Sequence, residues 1–426
     1  MKKHLFIILL LGTLSANAVE RVSLETLQAD WNRYSDRIVT VTTPLVVCGS
    51  YYDSLILAPE RLYCPEEHAV GLADGDSTVY WQIVQGNREQ SVIVHCRNNY
   101  YNVRAGDRVP SFTARVTGAR HFVSGQGVKT YHTAVDRLPR PKKGELRIVG
   151  ANIENYFADL GGYAHRKTKP DQQALQTRKL VAALRAMHAD IIACCEMQVG
   201  TKAPKMLLES LNKGGDRYAF VAMPMPDIDR IGCCFIYDTK RVRPYAEPIS
   251  AYRDSTGHYH ARMFATGFEE IATGERLVIG LNHLKSKRPG RNQYDTNTQR
   301  MHNTDSLLAM LPKALALYGD PDVLLLGDYN CYTQEQPIQT IVRAGYADQL
   351  ARFCAEDYSY VYKGEIGYLD RCFANPSMAA QIVRVRPWHL NADWYYQHAA
   401  FKRKDKTYHR YSDHDPIIVD IKMSSR

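Results

Sequence analysis

From position 146 onward the chain repeats one device: an apolar run of strand length that stops on a polar or ionisable residue. The run over 146–153 carries Asn152 near its end, 190–196 stops on Glu196, and 276–283 stops on His283. The run over 322–327 leads into Asp328 and Asn330, Asp370 follows Tyr368-Leu369, and Asp413-His414 opens onto a last run over 417–421. Strand ends are where a rigid sheet holds polar groups at a rim, so this pattern demands a sheet-based domain with one functional edge. A carboxylate that closes an apolar strand is costly unless it is paired or ligating, which argues a ligand role for Glu196 and Asp328. Oxygen ligands of this kind suit Mg²⁺ or Mn²⁺ better than zinc, with Ca²⁺ as the alternative. Two histidines beside them supply acid-base capacity near neutral pH.

Strands in this half alternate with amphipathic segments. Asp171 is expected to cap a helix bearing Leu175, Leu180, Val181, Leu184 and Met187 at helical spacing. The result is an α/β (α+β) domain over 146–426. Pro139, Arg140, Pro141, Lys142, Lys143 and Gly144 break the pattern and predict a linker over 139–145. Ahead of it, 19–138 reads as short strands between turns, over 37–47, 78–84, 91–95 and 108–117, which suggests a small all-β barrel or sandwich. A chain of 426 residues with 45% hydrophobic residues is long enough for two such cores.

The first residues have a different character. Lys2 and Lys3 precede an apolar run from Leu5 to Leu11, and Ala16-Asn17-Ala18 follows as a small-x-small site, the three parts of a secretory signal peptide. Cleavage near Ala18 and a periplasmic or secreted location are expected. In an oxidising compartment the ten cysteines become disulfide candidates, and Cys48, Cys64 and Cys96 are the best of them. Cys194-Cys195 and Cys233-Cys234 are expected to be buried thiols, because neighbours on a strand face opposite ways. No C-x-x-C spacing points to structural zinc.

Taken in order, 150–157 (GANIENYF), 190–196 (DIIACCE), 282–287 (NHLKSK), 327–330 (GDYN), 368–371 (YLDR) and 412–416 (SDHDP) resemble the endonuclease/exonuclease/phosphatase superfamily, the fold of pancreatic deoxyribonuclease. The resemblance implies a four-layer, two-sheet sandwich flanked by helices. It also implies that Glu196 is the main metal carboxylate, helped by Asn152 and Asp413. Asp328 and Asn330 would hold the scissile phosphate and the attacking water. His414, oriented by Asp370, would act on that water or on the phosphorane, and His283 would donate to the phosphate or protonate the leaving oxygen. Asn155 is the alternative to Asn152, and Glu154, with no mapped role, is expected to face solvent.

The superfamily handles several phosphoesters, and three features favour nucleic acid. Lys285, Lys287, Arg288, Arg291 and Arg300 follow His283 as a basic loop opposed only by Asp295, Lys402-Arg403-Lys404-Asp405-Lys406 precedes the final motif, and Arg262 resembles a backbone-contacting arginine of the nucleases. The charge is uneven: 19–140 holds 13 basic and 13 acidic residues, while 39 basic and 32 acidic lie beyond it. A cationic domain favours a polyanionic partner, DNA or alternatively RNA. The 103–108 turn and the strand after it resemble the OB-like domain that precedes some exported bacterial nucleases. Tyr51, Tyr52, Trp81, Tyr100 and Tyr101 there are candidates for base stacking or for core. Sphingomyelinase-like or inositol-phosphatase-like activity and a non-catalytic binding module are the other readings. No feature predicts a protein partner, so a monomer is expected.

Overall fold

The computed structural model describes residues 19–51, 53–96, 103–160, 169–224, 230–251, 262–288, 296–394 and 407–422. Two sheets face each other in the C-terminal part. One has six strands, in the order Tyr218–Ala222, Ile231–Asp238, Ile191–Gln198, Leu146–Tyr156, Ile417–Ile421 and Ile382–Pro387. The other runs Val242–Pro244, Arg262–Glu270, Arg276–His283, Val323–Asp328, Asp370–Ala374 and Ala347–Asp348, with Ile249–Ser250 paired beside Arg262–Glu270.

The apolar runs of the sequence become these strands because they are buried on both faces. Ile148, Ile191, Phe235, Phe264, Ile279, Leu281 and Leu326 fill the space between the sheets. Val149, Ile192 and Ile236 turn outward onto helices Pro170–Met187 and Lys202–Leu211. On the far side Val278, Val323 and Leu325 pack on helices Thr296–Tyr318 and Gln336–Arg343. Helix, sheet, sheet and helix make the four layers expected. Asp171 sits in the first turn of its helix, where it complements the dipole, while Lys169 occupies the cap position.

The N-terminal region forms an eight-stranded sheet around one core that includes Val39, Val47, Leu57, Val94, Val116 and Phe122. Ile38–Val41 pairs with Phe112–Gly118 and Leu45–Ser50 with Ser54–Ala58, so one stretch of chain contributes to opposite ends of the strand series. Two expectations need correction here. The segment over 78–84 is not a strand; it belongs to helix Thr78–Gln90, whose first amide donates to Asp76 Oδ1 at 2.8 Å. The cysteines Cys48, Cys64 and Cys96 form no disulfide; all ten thiols are free. Cys48 and Cys96 lie on strands separated by Ser54–Ala58. Two strand spacings put them at least about 9–10 Å apart, beyond disulfide reach. Cys194, Cys195, Cys233 and Cys234 are buried thiols, as their positions predict.

Among the described residues no helix is long and apolar enough to cross a membrane. The leader read in 1–18 lies outside the described residues.

Candidate active site

Strand register assembles half of the site in one row. Arg262 pairs with His283, His283 with Asp328, and Asp328 with Asp370, across four adjacent strands. The opposite sheet delivers Asn152, paired with Cys195, and therefore Glu196 as the next residue. Both sheets end here, and the row meets Asn152 and Glu196 across the gap between them.

Asp328 is the centre of the arrangement. Its Oδ2 accepts from Asn152 Nδ2 at 3.1 Å and lies 3.7 Å from His283 Nε2 and 4.0 Å from His414 Nε2. Glu196 Oε1 accepts from the same Asn152 amide at 3.1 Å and stands 3.9 Å from His283 Nε2. Asn152 thus braces the two carboxylates apart through its nitrogen, while its Oδ1 accepts from the Glu154 amide at 2.9 Å. Asn155 contributes its backbone, donating N–H to Glu196 Oε2 at 2.9 Å. His414 Nδ1 bonds Asp370 Oδ2 at 2.8 Å, and its ring lies 4.6 Å from that of Tyr360. The Asn330 amide donates to Asp328 Oδ1 at 2.9 Å and its side chain to Leu284 O at 3.1 Å, so Asn330 fixes the loop after the strand.

Backbone strain is concentrated at this rim. Glu154, Asn155, Glu196 and Asn330 all have positive φ, between 49° and 62°. Non-glycine residues occupy that region at a cost that the surrounding structure must offset, and such positions cluster at functional sites. The pairing of the first two strands shifts register between Asn152 and Tyr156 and between Cys195 and Met197, where these residues leave the regular ladder.

Electrostatics follow from burial and crowding. Burial pushes the Asp328 carboxyl up to about 7, with Asp370 and Glu196 adding to the rise and His414 opposing it. Burial and then the Asp413 carboxylate push Glu196 up. Burial alone would lower His414, but Asp370 and Asp328 hold it well above the usual histidine range. Two crowded carboxyls kept from ionising freely are the condition that a cation relieves. Glu196, His283 and Asp328 each offer a ligand atom within 4.8 Å of one another, as do Asp328, Asp370 and His414. The donor set, mainly carboxylate oxygen with imidazole, fits a hard divalent cation.

The remaining expected residues fall in three groups. Asp413, Arg262, Lys285 and Arg288 line the same cleft, of about 1000 Å³. Lys287 also lines it, but its Nζ lies 2.6 Å from Glu335 and 3.4 Å from Glu66, which neutralise its charge. Arg300 belongs to no loop: it is buried in helix Thr296–Tyr318 and faces Glu335 at 3.8 Å. Arg291 and the run 402–406 lie outside the described residues, as do Tyr52, Tyr100 and Tyr101. Glu154 does not face solvent; it is 5% exposed and lines the cleft. Tyr360 and Tyr332 are cleft residues that the sequence did not single out, because a tyrosine outside the motifs carries no local mark.

No family model and no curated protein matches the chain. Solved structures do. An endonuclease/exonuclease/phosphatase family protein from Bacteroides thetaiotaomicron is 14% identical, with 66% of this chain and 95% of that chain covered and a TM-score of 0.47. The human Nocturnin catalytic domain with bound sulfate is 16% identical, over 67% and 94% of the two chains, at 0.45. A mannosyl-6-phosphatase from Bacteroides thetaiotaomicron is 13% identical, over 64% and 98%, at 0.46.

Proposed function

We propose that this protein is an exported, divalent-metal-dependent phosphodiesterase that cleaves nucleic acid, DNA first and RNA as the alternative. One observation carries the reading: Asp328 Oδ2 stands at the meeting point of Asn152, His283 and His414, within 4.0 Å of each, with Glu196 across the gap. Glu196 and Asp328 would hold the cation, with Asp413 close by, and Mg²⁺ or Mn²⁺ suits these donors. When bound, the cation offsets charge that develops on the phosphate. Asp370 fixes the His414 ring so that Nε2 faces the cleft, where it exchanges a proton with the attacking water. His283, 4% exposed, reaches the same gap from the other side and serves the phosphate or the leaving oxygen. Arg262 and Arg288 add cations on the cleft wall for flanking phosphates.

The eight-stranded sheet built around one core supports reading 19–138 as an OB-like domain in front of the catalytic domain. Export rests on the leader features of 1–18.

The test uses purified protein from residue 19 onward with Mg²⁺, Mn²⁺, Ca²⁺ or chelator. Circular duplex, single-stranded DNA, RNA, sphingomyelin and inositol phosphates are offered in parallel. Cation-dependent cleavage of a nucleic acid, lost by at least about 10³-fold in Glu196→Ala, is expected. Turnover confined to the lipid or inositol substrates would replace the nuclease reading, and undiminished activity of Glu196→Ala would end the catalytic one.

A further inference from the structure

Strands Ser54–Ala58 and Val92–Cys96 are antiparallel neighbours, paired from Ser54↔His95 to Leu57↔Val92. Such neighbours need a turn of only about two to five residues. Here residues 59–91 intervene, and this insertion leaves the N-terminal sheet to dock on the catalytic sandwich. Leu62–Tyr63 adds a parallel strand to Glu365–Gly367. Glu67, 6% exposed, pairs with Arg371 at 3.4 Å and accepts from Thr333 and from the Tyr368 amide. Arg61 pairs with Asp393 at 3.2 Å. Asn87, the one buried residue of helix Thr78–Gln90, donates to Tyr63 O at 2.9 Å and to Glu365 Oε1 at 2.7 Å.

A long insertion held this firmly presents something. Tyr80, Val84, Asn87 and Arg88 recur at the spacing of one helix face and line the cleft that contains Asp328 and His414. Strand Tyr360–Tyr362 and Lys363 line the same cleft, and that strand shares a three-stranded sheet with Leu62–Tyr63 of the insertion. Tyr360 and Tyr362 share one face of the strand, about 7 Å apart, which is a stride that one extended nucleotide spans. Tyr360 lies against the His414 ring, whereas Tyr362 is 51% exposed. Three cations in the cleft, Arg88, Arg288 and Lys363, form no ion pair with a described residue, in contrast to Lys287.

We propose that the 59–91 insertion is a substrate-gripping arm, and that the cleft it lines together with Tyr360–Lys363 holds a single-stranded polynucleotide running away from the catalytic centre. This rests on the nuclease reading above. Bases lie against Tyr362 and Tyr80, and the phosphates beyond the scissile one meet Arg288, Lys363 and Arg88. A cleft of about 1000 Å³ has room for a few nucleotides of one strand. The N-terminal domain thereby contributes directly to specificity.

The experiment compares the protein with Arg88→Glu/Lys363→Glu and with Tyr80→Ala, all in Mg²⁺. Substrates are single-stranded oligodeoxynucleotides of increasing length, a duplex of the same sequence, and bis(4-nitrophenyl) phosphate as a minimal ester. Lys205→Glu, an exposed charge change outside the cleft, is the control. The parent is expected to prefer the single strand and to gain kcat/KM with length. The charge-reversed variant should lower the ratio of long-oligonucleotide to minimal-ester kcat/KM at least tenfold, mostly through KM. The salt dependence of log KM should fall by about 0.7 for each cation removed. Tyr80→Ala should lower the same ratio severalfold, and Lys205→Glu should leave it in place. A ratio untouched by both arm variants, or a preference for duplex, overturns the arm while leaving the catalytic reading intact. Minimal-ester cleavage with no cleavage of any oligonucleotide overturns the nucleic-acid reading itself.

Discussion

Gly327 shows how tightly single residues are specified at this site. Its φ is +137°, and an added Cβ would lie 1.9 Å from the Asn282 carbonyl oxygen of the neighbouring strand. No side chain can move to relieve a clash with backbone, so the strands bearing His283 and Asp328 would have to part. Gly327→Ala is expected to cost at least about 3 kcal/mol, overpacking and backbone strain together, in urea unfolding. It should also lower kcat in whatever folded protein remains, because the Asp328–His283 spacing widens. His389 makes a second residue-scale case. Its Nδ1 bonds Asp415 at 2.9 Å and its Nε2 bonds Asp357 at 2.7 Å. Burial works against the charged ring, yet the two carboxylates raise it well above the usual range. A raised folded pKa means stability that is fully present below about 6.5 and lost as pH rises through the folded value. The stability difference between the parent and His389→Gln should therefore be largest near pH 6 and shrink toward pH 9. A difference that grows with pH would show that the ring is neutral in the folded protein.

At the scale of elements, the docking of the 59–91 insertion depends on one buried carboxylate. Arg371 is 1% exposed and answers both Glu67 and Asp348, the latter at 3.1 Å. Removing Glu67 leaves a buried guanidinium half-compensated, at a cost of about 3–5 kcal/mol. Glu67→Ala should split thermal unfolding into two transitions, or bring early proteolytic cuts within 59–91. A single transition at the parent temperature would show that docking rests on other contacts. Helix Thr78–Gln90 belongs to the same scale. The alternation of Val79, Trp81 and Ile83 reads locally as a strand, but the segment is a helix. Asp76 accepting at its start and Asn87 anchoring its last turns make the helix the better-satisfied state, a tertiary override of propensity.

For the whole molecule the prediction concerns the cation. The metal-free protein buries Asp328 with its carboxyl raised to about 7, so the folded state holds a proton that the unfolded chain has released. Its stability should decline as pH rises from about 4 to 7, and Asp328→Asn should flatten that decline. Mg²⁺ at a hundred times its dissociation constant should add about 2.7 kcal/mol, with proton release on binding near neutral pH. Calorimetric melts with and without chelator measure it. A Glu196→Ala variant that still responds fully would place the cation elsewhere.

What the sequence determined by itself is the inventory of the rim. Glu196, His283 and Asp328 were legible because each closes a local apolar run, while Asn152, Asp370 and His414 lie inside or just ahead of one and were legible through the short motifs that carry them. Their convergence needed only that the strands pair in register, which burial on both faces enforces. The tertiary structure alone decided what lies far apart in the chain. It paired Lys287 with Glu66 and Glu335, so a lysine of the basic run is an internal ion pair. It turned Glu154 into the cleft through left-handed backbone, and it kept Cys48 and Cys96 apart with an intervening strand. It also brought helix Thr78–Gln90 to the catalytic rim. Those outcomes depend on contacts between residues tens to hundreds of positions apart, and local pattern carries no record of which surface a segment will meet.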